Sequence, residues 1–398
     1  MNILYIGKYP PIQGGECNKA YWLLKSLGER GHKISVVTNS LEVEEQYRCK
    51  FDEEDKTKLR PEGVSINSTI PVKVPSFIPY TNPYCEKLIS LSLEVAEKEK
   101  PEIIFGWYLL PYGVAACFTS LATGIPFVIK HAGSDITRLY NDPFIHRTLK
   151  EVIRKARGVI TSPSLEKFFK NEGASNVLFG SFSIPNAFNP EGENINYRRE
   201  FNLECNPDRT ILFLGKITKS KGLSYLVDSF NRVLAEKTLI VAGDGPNRRE
   251  IQEDIRERGI KDIHFVGTLP HWKIPRLIRA AKAVVVPEYN FGVSLHRSGI
   301  PLEAILCGKS PLVSNQVIER YGRLSEYMVP IDPINPEQFS KEIRRAIDDG
   351  EYNAKVKRDH SEIRKEIGNY ESYFSHMERL LLEVAHGQRD IEENSLLR

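Results

Sequence analysis

Lys216 and Lys221 stand in a turn bounded by Gly215 and Gly222, directly after the apolar run 210–214. Lysine is a compact source of positive charge, and in a glycine-bounded turn after a strand it suits the neutralisation of phosphate. The plainer reading is a solvated basic turn. A second group lies in 287–313: the carboxylates Glu288 and Glu303, the glycines Gly292 and Gly299, and then an apolar segment from Leu302 to Cys307. A carboxylate in the first turn of a helix accepts two hydroxyl hydrogen bonds at once, which fits a ribose diol. It equally offsets a helix macrodipole. His131 follows the apolar run 126–130, where a side chain meets whatever the sheet edge binds. It suits a hydrogen bond to a sugar hydroxyl or a developing charge, or simply a satisfied loop. Finally, Gly14-Gly15 precedes a helical segment, and Gly243 and Gly245 sit in a G-D-G-P turn. Glycine there lets backbone amides approach an anion closely, or merely closes a tight turn.

These residues need elements that bring strand ends together. NILYI at 2–6, KISVVT at 33–38, IIFGW at 103–107, PFVIK at 126–130, GVITS at 158–162 and VLF at 177–179 read as strands. Helical spacing separates them at 16–30, 82–100, 112–123, 144–157 and 164–172. Residues 42–81 are charged, then Pro-rich, and are expected to form hairpin or loop insertions. IPNAFNP at 184–190 breaks regularity and marks a linker. The second half repeats the pattern, with strands at 210–214, 238–242, 263–266 and 283–286, and helices at 223–235 and 274–281. Strands alternating with helices predict an α/β fold of two doubly wound, Rossmann-like parallel sheets. The tail, 362–384, carries Tyr370, Tyr373, Phe374, Met377, Leu380, Leu381 and Val384 at helical spacing and is expected to be a packing face.

Composition excludes several classes. A chain of 398 residues with 41% hydrophobic and 27% charged residues is an ordinary globular protein. Its 55 basic and 52 acidic residues are too balanced for nucleic acid as the main partner. No apolar run approaches the roughly 18 residues of a membrane span, and MNILYIGKYPP, with no basic n-region, is not expected to act as a signal peptide. The six cysteines are scattered without metal-ligand spacing, so a reduced, cytoplasmic setting is expected. The basic stretch 144–157 is either a solvated face or a peripheral contact with anionic lipid at the inner membrane face. G-x-G-x-x-G is absent and the second strand ends in Thr38-Asn39-Ser40, which disfavours a dinucleotide enzyme. The lysine turn has the wrong order for a Walker A loop.

In their order along the chain, these segments resemble the GT-B glycosyltransferases of family 4. The Gly14-Gly15 unit, HAGSD at 131–135, IPNAFNP at 184–190, FLGKITKSKG at 213–222, AGDGP at 242–246, FVG at 265–267 and PLEAILCGKSPLV at 301–313 carry the likeness. The resemblance implies two Rossmann-like domains facing across a cleft: an acceptor domain at 1–188, a nucleotide-sugar domain at 189–364, and a final helix at 365–398 returning to the first domain. It implies transfer of a sugar from a UDP-, GDP- or ADP-sugar to a hydroxyl acceptor on a glycan, lipid-linked glycan or small molecule, with retention and with no metal or other cofactor. Carried over by position, Lys216 and Lys221 contact the diphosphate, the Gly15 amide joins them, Glu303 binds the ribose and His131 lies near the transferred sugar. Gly14, Gly215, Gly243 and Gly245 belong to the donor loops.

Two positions depart from the family pattern. Lys216 replaces its usual Arg, keeping the charge but losing the fork. The first Glu of its E-x7-E pattern is Leu295 here. Glu288 is expected to take that place, with the backbone of Phe291, Gly292 and Val293 reaching the sugar, and with Arg297 and His296 adding contacts from an insertion at 294–299. Residues 77–84 are expected to shape the acceptor side. A GT-B binding or scaffold protein without activity, and another GT-B enzyme such as a nucleotide-sugar epimerase, are the alternative readings.

Overall fold

The computed structural model describes residues 1–72, 83–180, 183–233, 237–289 and 298–386. The chain forms two compact units. Unit 1 comprises Met1–Glu44, Asp52–Phe182 and Glu371–Arg398, and unit 2 comprises Glu45–Phe51 and Ser183–Tyr370. The breaks fall at 182/183 and 370/371 rather than at the expected 188/189 and 364/365. Glu45–Phe51, read from sequence as part of the first domain, belongs to unit 2. There Phe51 stacks on Trp272, with ring centroids 5.6 Å apart, and Lys50 N–H donates to Thr268 O (3.3 Å).

Unit 1 holds strands β1 (Asn2–Ile6), β2 (Lys33–Thr38), β3 (Val64–Ser68), β4 (Ile103–Trp107), β5 (Phe127–Lys130), β6 (Gly158–Thr161) and β7 (Val177–Phe179). They form one parallel sheet in the order β3-β2-β1-β4-β5-β6-β7. Unit 2 holds β8 (Thr210–Leu214), β9 (Thr238–Ala242), β10 (Ile263–Gly267), β11 (Ala283–Val286), β12 (Leu312–Ser314) and β13 (Val329–Ile331), also all parallel, in the order β10-β9-β8-β11-β12-β13. Helices cover both faces, which is why β4, β8, β9 and β11 are buried at every position and read as unbroken apolar runs.

In each unit the chain winds outward from the middle of the sheet in both directions. The switch falls between β1 and β4 in unit 1 and between β8 and β11 in unit 2. Loops leaving the carboxyl ends of such neighbours diverge and open a crevice for ligands. Each described site residue singled out from the sequence follows a strand or lies in the helix just beyond.

Three expectations needed revision. Residues 42–81 contain β3, a parallel edge strand whose Ile66 pairs with Val36. Its polar sequence, VSINS, left little apolar signal because an edge strand is only half covered. The helix expected at 223–235 ends at Phe230. The tail is two helices, His360–Ile367 and Tyr370–His386, broken at Gly368 with φ 95°. The second packs within unit 1. Arg30 pairs with Glu371 and Glu378 and covers the Phe374 ring, and His376 Nε2–H donates to Phe179 O (2.6 Å). The basic stretch is the helix His146–Lys155, which buries Leu149, Val152 and Ile153 and pairs Lys150 with Glu172 and Arg154 with Glu151. Among the described residues no helix is long and apolar enough to cross a membrane.

Candidate functional site

In unit 2 the loops after β8, β9 and β11 are locked into one another by backbone contacts that only glycine permits. Gly243 has φ 154°, and a Cβ there would sit 1.8 Å from the Gly215 carbonyl oxygen. Gly222 has φ 72°, and its Cβ would meet Pro287 O at 1.9 Å. Gly215 N–H donates to Ala242 O (3.0 Å), Ile217 N–H to Asp244 O (2.9 Å) and Tyr289 N–H to Ser220 O (2.9 Å). A Cβ on Gly245 would press on Ile217 O, so the G-D-G-P turn is a packing requirement as well as a turn.

This lock brings Lys221 and Glu288 together. The Lys221 ammonium donates to Glu288 Oε1, and the Glu288 side chain is only 2% exposed. Burial of a carboxylate is tolerated when a cation accompanies it. Lys216, on the same loop, places its ammonium 5.4 Å from the centre of the Tyr47 ring. Glu303 lies in the first turn of the helix Ile300–Leu306, with Pro301 beside it. Its Oε1 accepts from His271 Nε2–H at 3.1 Å, and both side chains are largely buried. The His271 ring in turn packs against Phe188 of the IPNAFNP segment, with ring centroids 5.1 Å apart. Arg364 donates to Ile184 O (3.1 Å) and to Phe188 O, and Arg279 donates to Ala187 O (3.3 Å) and Asn189 O (3.2 Å). The linker-like segment is therefore a pinned support under the Glu303–His271 pair.

In unit 1, His131 directly follows β5. Its Nδ1–H donates to Ala132 O (3.2 Å), since a carbonyl only accepts, and Nε2 therefore accepts from the Thr161 hydroxyl (2.7 Å). Burial lowers its pKa to about 4, so it is neutral. Asp135 of the same HAGSD segment is buried and takes N–H groups from Leu109 (3.0 Å) and Ala132 (2.9 Å), joining the loops after β4 and β5. Burial raises its carboxyl to about 6 against those two hydrogen bonds. Gly14 needs glycine, with φ 138° at the head of the helix Gly15–Glu29. Gly15 does not: it is helical, and an added Cβ would meet no atom within 4 Å. Beside it Glu16 accepts from the Trp107 indole N–H (3.0 Å) and from Lys19 (2.6 Å). Burial pushes the Glu16 carboxyl up, but the charges of Lys19 and Lys130 outweigh it and the net shift is downward.

Lys216, Lys221, Glu288, Gly215, Gly243, Gly245 and Glu303 thus belong to unit 2, while His131, Gly14 and Gly15 belong to unit 1. Phe291, Gly292, Val293, Leu295, His296 and Arg297 lie outside the described residues, as does most of 77–84. Sequence reasoning did not single out His271, Glu16, Asp135 or Lys130. The available signals were the acidic end of HAGSD and a lysine closing an otherwise apolar strand.

Residues 196–362 match the model of the family described as "Glycosyl transferases group 1". The chain is 22% identical over 373 residues to an uncharacterized glycosyltransferase of Methanocaldococcus jannaschii, covering 86% of this chain and 87% of that protein. It is 24% identical over 318 residues to N-acetyl-alpha-D-glucosaminyl L-malate synthase of Bacillus anthracis, covering 75% of each. In shape it is similar to Anabaena HepE in complex with UDP-glucose, with a TM-score of 0.67, 15% identity, and coverage of 96% of this chain and 100% of that one. At that identity the structural likeness is one of fold, and the fold is GT-B.

Proposed function

We propose that this glycosyltransferase, whose residues 196–362 match the glycosyl transferases group 1 model, is a retaining, metal-independent enzyme of the family 4 kind. In this reading unit 2 binds the nucleotide-sugar donor and unit 1 binds the hydroxyl acceptor.

The observation that carries the reading is the Lys221–Glu288 pair, held where the loops after β8 and β11 leave the switch point of the unit 2 sheet. The Lys221 ammonium donates to the buried Glu288 carboxylate, which fixes it at this loop junction. In this reading the Lys221 ammonium, held by Glu288, acts with Lys216 on the leaving diphosphate. As the sugar–phosphate bond breaks, its electrons pass to the diphosphate oxygen, and a cation fixed beforehand stabilises that charge most in the transition state. Glu288 holds Lys221 in place.

Glu303, oriented by His271, accepts the ribose hydroxyls. Gly15 is where neither torsion nor packing calls for glycine, which leaves room for a ligand to approach its backbone in unit 1. Neutral His131 offers Nε2 to a sugar hydroxyl that competes with Thr161. The lysines supply the charge that a metal would otherwise bring.

Donor turnover, assayed in EDTA, tests this. Lys221→Ala strands a buried carboxylate, which costs about 3–5 kcal/mol of stability. It is therefore paired with Lys221→Ala/Glu288→Gln, which removes that charge. Both variants should lose about 100-fold or more in kcat, the second while remaining folded. Wild-type rates in the double variant, or activity abolished by EDTA in the wild type, would count against the proposal.

A further inference from the structure

At the carboxyl ends of β1, β4 and β5, three lysines and two carboxylates lie close together in unit 1. The carboxylates are already satisfied. Glu16 holds Lys19 and the Trp107 indole, and Asp135 holds two backbone amides. Lys130, the last residue of β5, is not. It is the register partner of Trp107 across β4 and β5, so the two side chains share one face of the sheet. Its ammonium lies 5.3 Å from the Trp107 ring centre, and among the described residues no hydrogen bond or ion pair joins it.

Lys8, in the loop after β1, repeats the pattern over Tyr108, with its ammonium 4.4 Å from the ring centre and no ion pair among the described residues. An aromatic face favours each cation but leaves its N–H donors without an acceptor. Burial lowers both amines, Lys130 to about 8 in spite of the Glu16 charge. A purely structural lysine at these positions would be expected to hold one of the two carboxylates, and neither does so.

We propose that Lys130, assisted by Lys8, is an anion subsite for the acceptor, so that the acceptor carries a carboxylate or phosphate near the hydroxyl that receives the sugar. This rests on the reading that unit 1 binds the acceptor. His131, next in the chain and hydrogen-bonded through both nitrogens, adds no charge beside the subsite. A cationic acceptor is disfavoured, because Glu16 and Asp135 are spoken for.

Calorimetric titration of the full chain with malonate, methyl phosphate and neutral glycerol tests the subsite apart from turnover. Wild type should bind one or both anions at least tenfold more tightly than glycerol. The tighter anion names the group: methyl phosphate a phosphate-bearing acceptor, malonate a carboxylate. Lys130→Met and Lys130→Gln should each weaken anion binding by about tenfold or more, while Lys130→Arg retains most of it. Lys221→Ala/Glu288→Gln should keep the Lys130-dependent binding while losing nucleoside diphosphate binding, so failure of the donor reading shows separately. Anions that bind wild type no better than glycerol would overturn the proposal. So would either uncharged Lys130 variant binding them like wild type, and the comparison within wild type stands even if a variant does not fold.

Discussion

Glu288 and Lys221 are 67 positions apart in sequence and form an ion pair in the folded chain. The sequence marks each as chemically capable but not the pairing, because a contact of that range depends on how two loops leave adjacent strands. His271 was missed for the same reason: alone it is an ordinary loop histidine, and only the fold brings it to Glu303. His131 offers a sharper test. Its folded pKa is depressed to about 4 from 6.5 by burial. The stability gained by holding it neutral is therefore fully present above about pH 6.5 and is lost as pH falls toward 4. NMR of the ring protons should show no titration of His131 between pH 6 and 8, with its midpoint near 4. A midpoint near 6.5 would mean that the imidazole is not held as described.

Among the elements, the glycine-locked loops carry the most stringent requirement. Gly222→Ala puts a methyl group into the Pro287 carbonyl at a φ of 72°, where L residues are disfavoured. The loops after β8 and β11 then have to separate, and Lys221 and Glu288 with them. Gly15→Ala meets no protein atom. The expected outcome is that Gly222→Ala lowers the melting midpoint and abolishes nucleoside diphosphate binding, whereas Gly15→Ala leaves the midpoint unchanged. Equal midpoints for the two variants would contradict the lock. The central strands were legible from sequence because parallel strands covered on both faces are uniformly apolar, as TILFL and TLIVA are. β3 was not, since its sequence is polar and most of its side chains, at a sheet edge, are only partly buried. Nor was the break at Gly368, since the apolar spacing continues on both sides of it.

For the whole molecule, the two-sheet architecture follows from the alternation of strand and helix, but the unit boundaries do not follow from chain order. Unit 1 is completed by the last described helix, whose Phe374, Met377, Leu380 and Leu381 are buried. At roughly 1.5–3 kcal/mol for each buried apolar side chain, that face matters to unit 1 and not to unit 2. Truncation after Tyr370 should therefore leave unit 2 protected in limited proteolysis while unit 1 becomes sensitive. Equal protection of both would show that the helix is dispensable.

The central claim, that unit 2 holds a nucleotide-sugar donor through Lys221 and Glu303, is tested most directly by thermal melting with UDP, GDP and ADP. A ligand at 100 times its Kd adds about 2.7 kcal/mol, which corresponds to about 5–10 °C for a unit of this size. One of the three should raise the wild-type midpoint by that amount and leave Lys221→Ala/Glu288→Gln nearly unmoved. No shift with any of them, or a full shift in the double variant, would contradict the account.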